Sequence, residues 1–504
     1  MSKSKKEIKK GALKFSTYRA SLDEETQKRL DAFFRKLDER LYLPRADRKK
    51  LRNDFQRAFV YYFEHNIPFY RAIELLDLSN LGGFYSRESN LWLPLDDVAK
   101  SYTQFVNRSS MSVFRLAAYM NERVSPELLQ MALNFTIKRF PYFAMSIKKG
   151  FFWHYLDSIH GRFPIEKEGP VPCQRIYLSV SGSKAFRVLF YEKRISVEFF
   201  HGMTDGTGGK EFLKSLLLSY LRLQGKDIKE SPLIMEPNSL VSTDEYRNEF
   251  KSLKRHSGTA GYLNKKALQL SGNLTIEKPS RVFHFKMPTS ELKAACEKYG
   301  VNVTSYISTI LFFASKASID EIEGDVSVTI PVNMRNLFPS KTLRNFSLFT
   351  SLREDIRNID NFPEFALKIQ EQLKDKIQKE KMLDMMAATG SMFSKMKLIP
   401  LPLKQPVTKL LGKLLGDRIF TTSLSNLGVV ELPEDMAKEI VSMDFVLGTT
   451  TINRTQNSLI SVNGITTLSI SKYTKDPSFE EKVYALLRND DITIEVEGSE
   501  PYGR

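Results

Sequence analysis

Hydrophobic residues recur every three to four positions through much of the first 90 residues. The stretch "TQKRLDAFFRKLDERLYL", from Thr26 to Leu43, has this spacing, and "DRKKLRNDFQRAFVYYFEHN" repeats it after Pro44. Such spacing predicts amphipathic helices, and a capping box over Ser21 to Glu24 is expected to begin the first of them. We therefore predict a helical N-terminal extension over residues 1–90, packed on the main body of the protein.

From Trp92 onwards the pattern alternates between helical and strand-like spacing. "SPELLQMALNFTIKRFP" predicts an amphipathic helix with Ser125 as its N-cap. "FRVLFYEKRISVEFFHG" predicts a β-hairpin that turns at Glu192 and Lys193, and "KEFLKSLLLSYLRLQ" predicts the following helix. We assign residues 91–235 to an N-terminal lobe and the polar residues 236–280 to a connector.

The second half of the chain repeats this alternation without repeating the sequence. The segments "RVFHFKM", "DVSVTIPV", "SMDFVLGTT" and "NGITTLSISKY" predict strands, and "TSELKAACEKYG", "TSYISTILFFASKA" and "FEEKVYALLRN" predict helices. We assign residues 281–504 to a C-terminal lobe. A sheet flanked by helices in each half predicts an α/β protein of two similar lobes, each with a mixed sheet.

The composition is that of a folded protein, with 42% hydrophobic and 27% charged residues. The sequence has no apolar run long enough to span a bilayer, and the basic start "MSKSKKEIKKGALKF" lacks the apolar core of a secretory signal. We therefore expect a cytoplasmic location. The two cysteines, Cys173 and Cys296, have no metal-binding spacing, so we expect neither a disulfide framework nor a metal site.

The formal net charge of +16 raises the question of a nucleic-acid partner. The basic residues are spread along the chain among 59 acidic ones, and no nucleic-acid-binding module is recognisable, so we expect none. A positive surface also suits an anionic small molecule or an anionic membrane.

Residues 380–418 combine five methionines with several lysines and three prolines. One hypothesis is that they line an apolar pocket or contact a membrane peripherally, because methionine surfaces adapt to varied apolar shapes and basic amphipathic segments bind anionic bilayers. The alternative is an ordinary core helix followed by a loop.

The stretch "VEFFHGMTDGTGGKEF" places His201, Asp205 and Gly206 in a turn between a predicted strand and a predicted helix. It is not a phosphate-binding P-loop, because Thr204 stands where that motif needs glycine and Glu211 stands where it needs Ser or Thr. A histidine at a strand end can project into a crevice between lobes.

Two interpretations of this turn remain open. In the first, His201 is a general base, kept neutral by the nearby helix N-terminus, and Gly206 adopts a backbone conformation that side chains forbid. In the second, His201 is a packed strand-end residue and Asp205 is only the N-cap of the following helix.

"HGMTDG" resembles the His-x-x-x-Asp-Gly motif of the chloramphenicol acetyltransferase-like superfamily. That superfamily includes condensation domains of peptide synthetases, polyketide-associated acyltransferases, wax ester synthases and alcohol acetyltransferases. The alcohol acetyltransferase-like branch is the most similar, since "FPYFAMSIKKGFFWHYLD", "PVNMRNLF", "LRNFS" and "SLSNLG" follow its order. The resemblance covers residues 92–490, and the Asp-Phe-Gly-Trp-Gly motif of the plant branch is absent.

The resemblance implies an acyltransferase with a tunnel between its lobes and no tightly bound cofactor. Acyl-CoA, or an acyl-carrier thioester, is the implied co-substrate, and a small alcohol or amine is the acceptor. His201 is the implied catalytic base and needs no acyl-enzyme. Asp205, with Gly206 beside it, is implied to form a bidentate pair with Arg335.

The resemblance also assigns a structural role to Asn345 and makes Ser425 the first, and Asn426 the second, candidate to stabilise the oxyanion. For each there is a plainer interpretation: Arg335 could be a surface residue, and "SNLG" could be a simple turn. A ligand-binding protein without catalysis and a thioesterase are the alternatives to the transferase.

Overall fold

The computed structural model describes residues 2–88, 91–105, 112–178, 183–253, 266–274, 281–404, 419–448 and 454–499. Its first part consists of helices, as predicted: α1 (Ser2–Ser21), α2 (Glu24–Arg40), α3 (Arg45–Glu64) and α4 (Phe69–Leu75). The predicted capping box is wrong. Asp23 caps α2 by accepting a hydrogen bond from the Thr26 amide, whereas the Ser21 hydroxyl donates to the carbonyl of Tyr18 in α1.

These N-terminal helices pack on the main body through apolar and polar contacts. Their aromatic side chains belong to the same hydrophobic core as the helix that Ser125 caps. The Tyr62 hydroxyl donates to the carbonyl of Leu223 over 2.7 Å, and Asp54 forms a buried ion pair with Arg162. The extension therefore shares a core with the part of the chain that follows it.

The remaining helices lie between and over the strands. They are α5 (Asp97–Phe105), α6 (Pro126–Thr136), α7 (Gly206–Leu223), α8 (Glu249–Ser252), α9 (Thr289–Lys298), α10 (Val303–Ala317), α11 (Phe362–Lys376), α12 (Lys379–Lys395), α13 (Glu434–Ala437) and α14 (Ser478–Asn489). Ser125 caps α6, as predicted, by accepting a hydrogen bond from the Leu128 amide.

Two small sheets are built mainly by the first half of the chain. One has the order β1-β4-β3 and the other has the order β12-β2-β7-β6-β5. Their strands are β1 (Trp92–Pro94), β2 (Val113–Met120), β3 (Met145–Lys149), β4 (His154–Ser158), β5 (Ile165–Lys167), β6 (Phe186–Tyr191), β7 (Arg194–Phe200) and β12 (Ile440–Leu447). The predicted hairpin is the β6–β7 pair, with Glu192 at a positive φ of 48° in its turn.

The largest sheet is built by the second half and has the order β10-β9-β11-β13-β14-β8-β15. Its strands are β8 (Arg281–Pro288), β9 (Asp325–Asn333), β10 (Ser347–Asp355), β11 (Thr422–Val429), β13 (Thr455–Val462), β14 (Ile465–Lys472) and β15 (Glu495–Gly498). β9, β11 and β13 are parallel, and their apolar face packs on helices such as α10. The predicted mixed α/β class, with a helical N-terminal region, is confirmed.

One strand crosses from the second half of the chain to the first. β12 pairs antiparallel with β2, placing Asp444 beside Ala117. The sequence did not predict this exchange, because strand pairing between distant segments leaves no periodic signal of its own. It ties the five-stranded and seven-stranded sheets together next to the strand that leads to His201.

The strand β7 differs from the half-exposed strand that its alternating sequence suggests. Glu198, on the polar side of β7, is fully buried. Its carboxylate lies 2.8 Å from Arg115 and accepts a 2.7 Å hydrogen bond from Arg187. Burial by itself raises the pKa of Glu198, but these two guanidinium groups outweigh it and hold the pKa below its ordinary value. The charged side chain on this face of β7 therefore forms buried ion pairs and does not face water.

The methionine-rich region is partly described. Met382 and Met386 of α12 are buried against Val98, Met334 and Phe346, as the core-helix interpretation requires for this portion. The hypothesis that this region lines a pocket or contacts a membrane also involves residues 405–418, which lie outside the described residues. Among the residues that are described, no helix combines the length and the apolar character needed to cross a bilayer.

Candidate active site

His201 directly follows β7 and lies where the two lobes meet. Its backbone amide donates to the carbonyl of Ser112, which extends the β2–β7 pairing by one step. The imidazole stacks on Tyr102 of α5, with 4.4 Å between ring centroids and an angle of 17°, and meets the edge of Phe114 at 5.1 Å. Protein encloses most of the ring, and His201 keeps only some accessible surface.

Asn345 reaches His201 from the segment between β9 and β10. Its side-chain oxygen lies 3.2 Å from Nδ1 of the imidazole. An amide oxygen only accepts, so this contact favours the tautomer that carries its proton on Nδ1 and has Nε2 as the acceptor. Burial lowers the pKa of His201, and this is offset only in part by a hydrogen bond to its own backbone, by the carboxylate of Asp205, and by hydrogen bonds to Asn345 and the backbone of Thr204. The ring is therefore neutral at pH 7.

Asp205 is buried and does not contact the imidazole through a hydrogen bond. Its Oδ1 accepts from the amide of Gly208, which caps α7. Its Oδ2 accepts from the amide of Phe346 over 2.8 Å and lies 2.7 Å from Arg335 Nη1. The two interpretations of Asp205 are thus compatible, because the same carboxylate caps the helix and pairs with the arginine.

Arg335 lies in a short 3₁₀ turn after β9 and is mostly buried. It contacts Asp205 through one nitrogen only, so the pair is not bidentate as expected. Its Nε and Nη2 groups donate to the carbonyl of Thr342, and Nη2 also donates to the carbonyl of Arg344. The guanidinium therefore holds together the loop that carries Asn345.

Gly206 has no positive φ, so the expected backbone explanation is wrong. A Cβ at this position would lie 2.5 Å from the side chain of Leu427 in β11, so the close approach of the second lobe favours glycine unless Leu427 shifts. Gly208 is more constrained, since its Cβ would lie 2.4 Å from the carbonyl oxygen of Leu343. Sequence reasoning missed Gly208, although the paired glycines after Asp205 were a signal.

Ser425 and Asn426 are neighbours in β11 but have different surroundings. Both polar groups of the Asn426 side chain form hydrogen bonds within the protein. Its amide nitrogen donates to the hydroxyl of Thr304, and its oxygen accepts from the amide of Gly428, which has a φ of 68°. Ser425 is partly exposed, and it lies in β11 two residues before Leu427, whose side chain faces Gly206. The side chain of Asn426 is thus engaged in two hydrogen bonds, which leaves Ser425 as the first candidate for the oxyanion donor.

Three residues that contact this junction could not be identified from the sequence. Tyr102 and Phe114 resemble any other core aromatic residue in the sequence, yet both pack on the imidazole. Asn333 joins the lobes by donating to the hydroxyl of Thr207 over 3.3 Å. Within the described residues, no group of His, Cys, Asp and Glu side chains is arranged to bind a metal ion.

The fold is shared with solved structures that include an acetyltransferase. TRI3, the trichothecene 15-O-acetyltransferase of Fusarium sporotrichioides, superposes with a TM-score of 0.55 at 11% identity, covering 80% of this chain and 96% of its own. TRI101 of the same fungus, crystallised with coenzyme A and T-2, gives a TM-score of 0.55 at 11% identity, covering 81% and 99%. Polyketide synthase associated protein 5 from Mycobacterium tuberculosis superposes with a TM-score of 0.51 at 12% identity. The match covers 78% of this chain and 97% of the other.

The chain therefore has the two-lobed chloramphenicol acetyltransferase-like fold that the sequence motif predicted. At these identities the likeness establishes the fold alone. No protein-family model matches the sequence, and no curated protein matches it either.

Proposed function

We propose that the protein is an acyltransferase of the alcohol acetyltransferase-like type. It moves an acyl group from CoA, or from a carrier thioester, to a small alcohol or amine. The observation that carries this proposal is the position of His201: its imidazole lies at the lobe junction, its Nδ1 is 3.2 Å from the side-chain oxygen of Asn345, and burial lowers its pKa. Of the relatives by fold, TRI101 was crystallised with coenzyme A and a small molecule, which supports CoA as the donor.

In the proposed reaction, Nε2 of His201 takes the proton from the acceptor hydroxyl or amine as that atom attacks the thioester carbonyl. A tetrahedral oxyanion forms and then collapses, breaking the carbon–sulfur bond. The imidazolium returns its proton to the departing thiolate, so the products are an ester or amide and a free thiol. The imidazole begins and ends neutral, and no acyl-enzyme is formed.

The remaining site residues support this step without taking part in proton transfer. Ser425 is the proposed oxyanion donor, because it is partly exposed and lies in β11 two residues before Leu427, whose side chain faces Gly206. Asp205 and Arg335 are positioning residues, which hold the turn of His201 against the loop of Asn345.

Thiol release from acetyl-CoA, measured with and without a series of alcohols and amines, tests the proposal. We expect release that depends on an acceptor and falls by about 10²- to 10⁴-fold in His201→Ala. His65→Ala is the matched control, since His65 is an exposed histidine in the N-terminal extension. Release without any acceptor would identify a thioesterase. No release from a folded protein, together with a ligand that copurifies, would identify a binding protein. Either result overturns the transferase.

A further inference from the structure

Two segments far apart in the sequence meet at the surface and expose large apolar side chains. The β3–β4 hairpin turns at Phe151 and Phe152, and residues 398–404 lie against that turn. The amide of Leu401 donates to the carbonyl of Phe151 over 2.8 Å, and Lys404 donates to the carbonyl of Phe152 over 2.6 Å. Lys404 also lies 3.3 Å from the ring centre of Trp153, which fastens the two segments together.

The apolar side chains at this junction face outward. Phe151 is 70% exposed, Leu398 80% and Leu403 60%, and Phe152 is also exposed with its ring edge-on to Phe151. Two phenylalanines and two leucines on adjoining turns are more apolar surface than isolated exposed residues provide. Such a group, clustered at the tips of turns, is suited to insertion into an apolar medium.

The charged residues within these two segments are all of one sign. Residues 145–156 and 391–404 contain five lysines and neither Asp nor Glu. Lys149 and Lys397 are exposed at the two turns. A second copy of the same surface would carry the same charges, so self-association is disfavoured by repulsion. Anionic lipid headgroups complement the lysines, and the acyl boundary below them accepts the apolar tips.

We infer that the aromatic-basic patch, formed by Phe151, Phe152, Leu398, Leu403, Lys149 and Lys397, docks the protein on an anionic lipid bilayer. The patch adjoins the site: Lys100 of α5 lies 5.3 Å from the ring centre of Trp153, and Tyr102 of the same helix stacks on His201. Docking therefore brings the α5 side of the lobe junction to the bilayer. The docking itself stands independently of the proposed acyl transfer.

Co-sedimentation with vesicles tests the inference. The full chain is mixed with vesicles of phosphatidylcholine alone or of phosphatidylcholine with phosphatidylserine. We expect binding to the second kind only, weakened by added salt. Lys149→Glu and Lys397→Glu should each weaken it by about fivefold or more. The double variant Phe151→Ser, Phe152→Ser should weaken it by about tenfold or more, because its apolar tips no longer enter the bilayer.

Matched controls are Ile322→Ser, which removes an 81% exposed apolar residue outside the patch, and Lys229→Glu, which reverses an exposed charge elsewhere. Neither should change binding by more than about twofold. Thermal melting and thiol release with water-soluble substrates should stay unchanged in all patch variants, which separates docking from folding and catalysis. Equal binding by patch and control variants, no binding to anionic vesicles, or patch-dependent dimers in sedimentation velocity would each overturn the inference.

Discussion

Asn345 Oδ1 lies 3.2 Å from His201 Nδ1, and the two residues come from different halves of the chain. His201 follows β7 of the five-stranded sheet, whereas Asn345 precedes β10 of the seven-stranded sheet. The proton on Nδ1, and with it the basicity of Nε2, therefore depends on the lobes being correctly joined. The aspartate of the motif, which lies four residues from His201 in sequence, serves the loop that presents Asn345.

This contact predicts how Asn345 variants respond to pH. In the wild type, the acid limb of kcat/KM should lie below pH 6.5, the ordinary pKa of histidine, because burial lowers the pKa of His201. Asn345→Asp should shift that limb to higher pH, since a carboxylate favours the imidazolium. Asn345→Ala should lower kcat by about 10- to 100-fold with little change in KM. pH–rate profiles check both. An unshifted limb in Asn345→Asp would show that this residue only supports the loop.

The neighbours Ser425 and Asn426 should separate catalysis from stability. Ser425→Ala should lower kcat by about 10²- to 10³-fold, as for loss of an oxyanion donor, without changing the melting temperature. Asn426→Ala should lower the melting temperature instead, because its bonds to Thr304 and Gly428 close the turn. Paired kinetics and thermal melts distinguish the two. A loss of kcat in Asn426→Ala and a loss of melting temperature in Ser425→Ala would show that Asn426, and not Ser425, is the oxyanion donor.

The buried pair of Asp205 and Arg335 should contribute to stability as a unit. Asp205→Ala and Arg335→Leu should each lower the free energy of unfolding by about 3–5 kcal/mol, since each leaves its partner's charge buried without compensation. The double variant should lose less than the sum of the two. Urea unfolding measures these values. The matched control removes the exposed Lys28–Glu24 pair, which should lower the free energy of unfolding by about 0.5 kcal/mol or less. Additive losses would contradict the coupling.

The glycines after Asp205 should differ in their tolerance of a methyl group. Gly208→Ala should lower the free energy of unfolding by about 3 kcal/mol or more, because a backbone carbonyl blocks its Cβ and cannot move aside. Gly206→Ala should cost about 1–2 kcal/mol, since the flexible Leu427 can shift, and Leu427→Ala should relieve it. Gly169→Ala is the control, because a Cβ at position 169 would have no other atom within 4 Å. Equal losses at Gly206 and Gly208 would refute this ranking.

Local patterns in the sequence were enough to predict most of the elements. The spacing of apolar residues predicted the helices α2, α3, α6 and α10 and the β6–β7 hairpin, because these periods follow from local backbone geometry alone. The cap of α6 was predicted for the same reason, since Ser125 bonds to an amide three residues away. The cap of α2 was misplaced by two residues, because Asp23 and Ser21 are both good cap residues and only the chain path selects between them.

By itself, the sequence determined the α/β class and the place of His201 and Asp205 after a strand, and its resemblance to a known family supplied Arg335, Asn345 and Ser425 as candidates. The tertiary structure alone decided that Asn345 rather than Asp205 contacts the imidazole, that Tyr102 stacks on it, and that β12 crosses between the sheets. It also decided that Glu198 is buried among arginines. The physical reason is common to all of these: each depends on contacts between segments up to hundreds of residues apart, and such contacts impose no period on the chain.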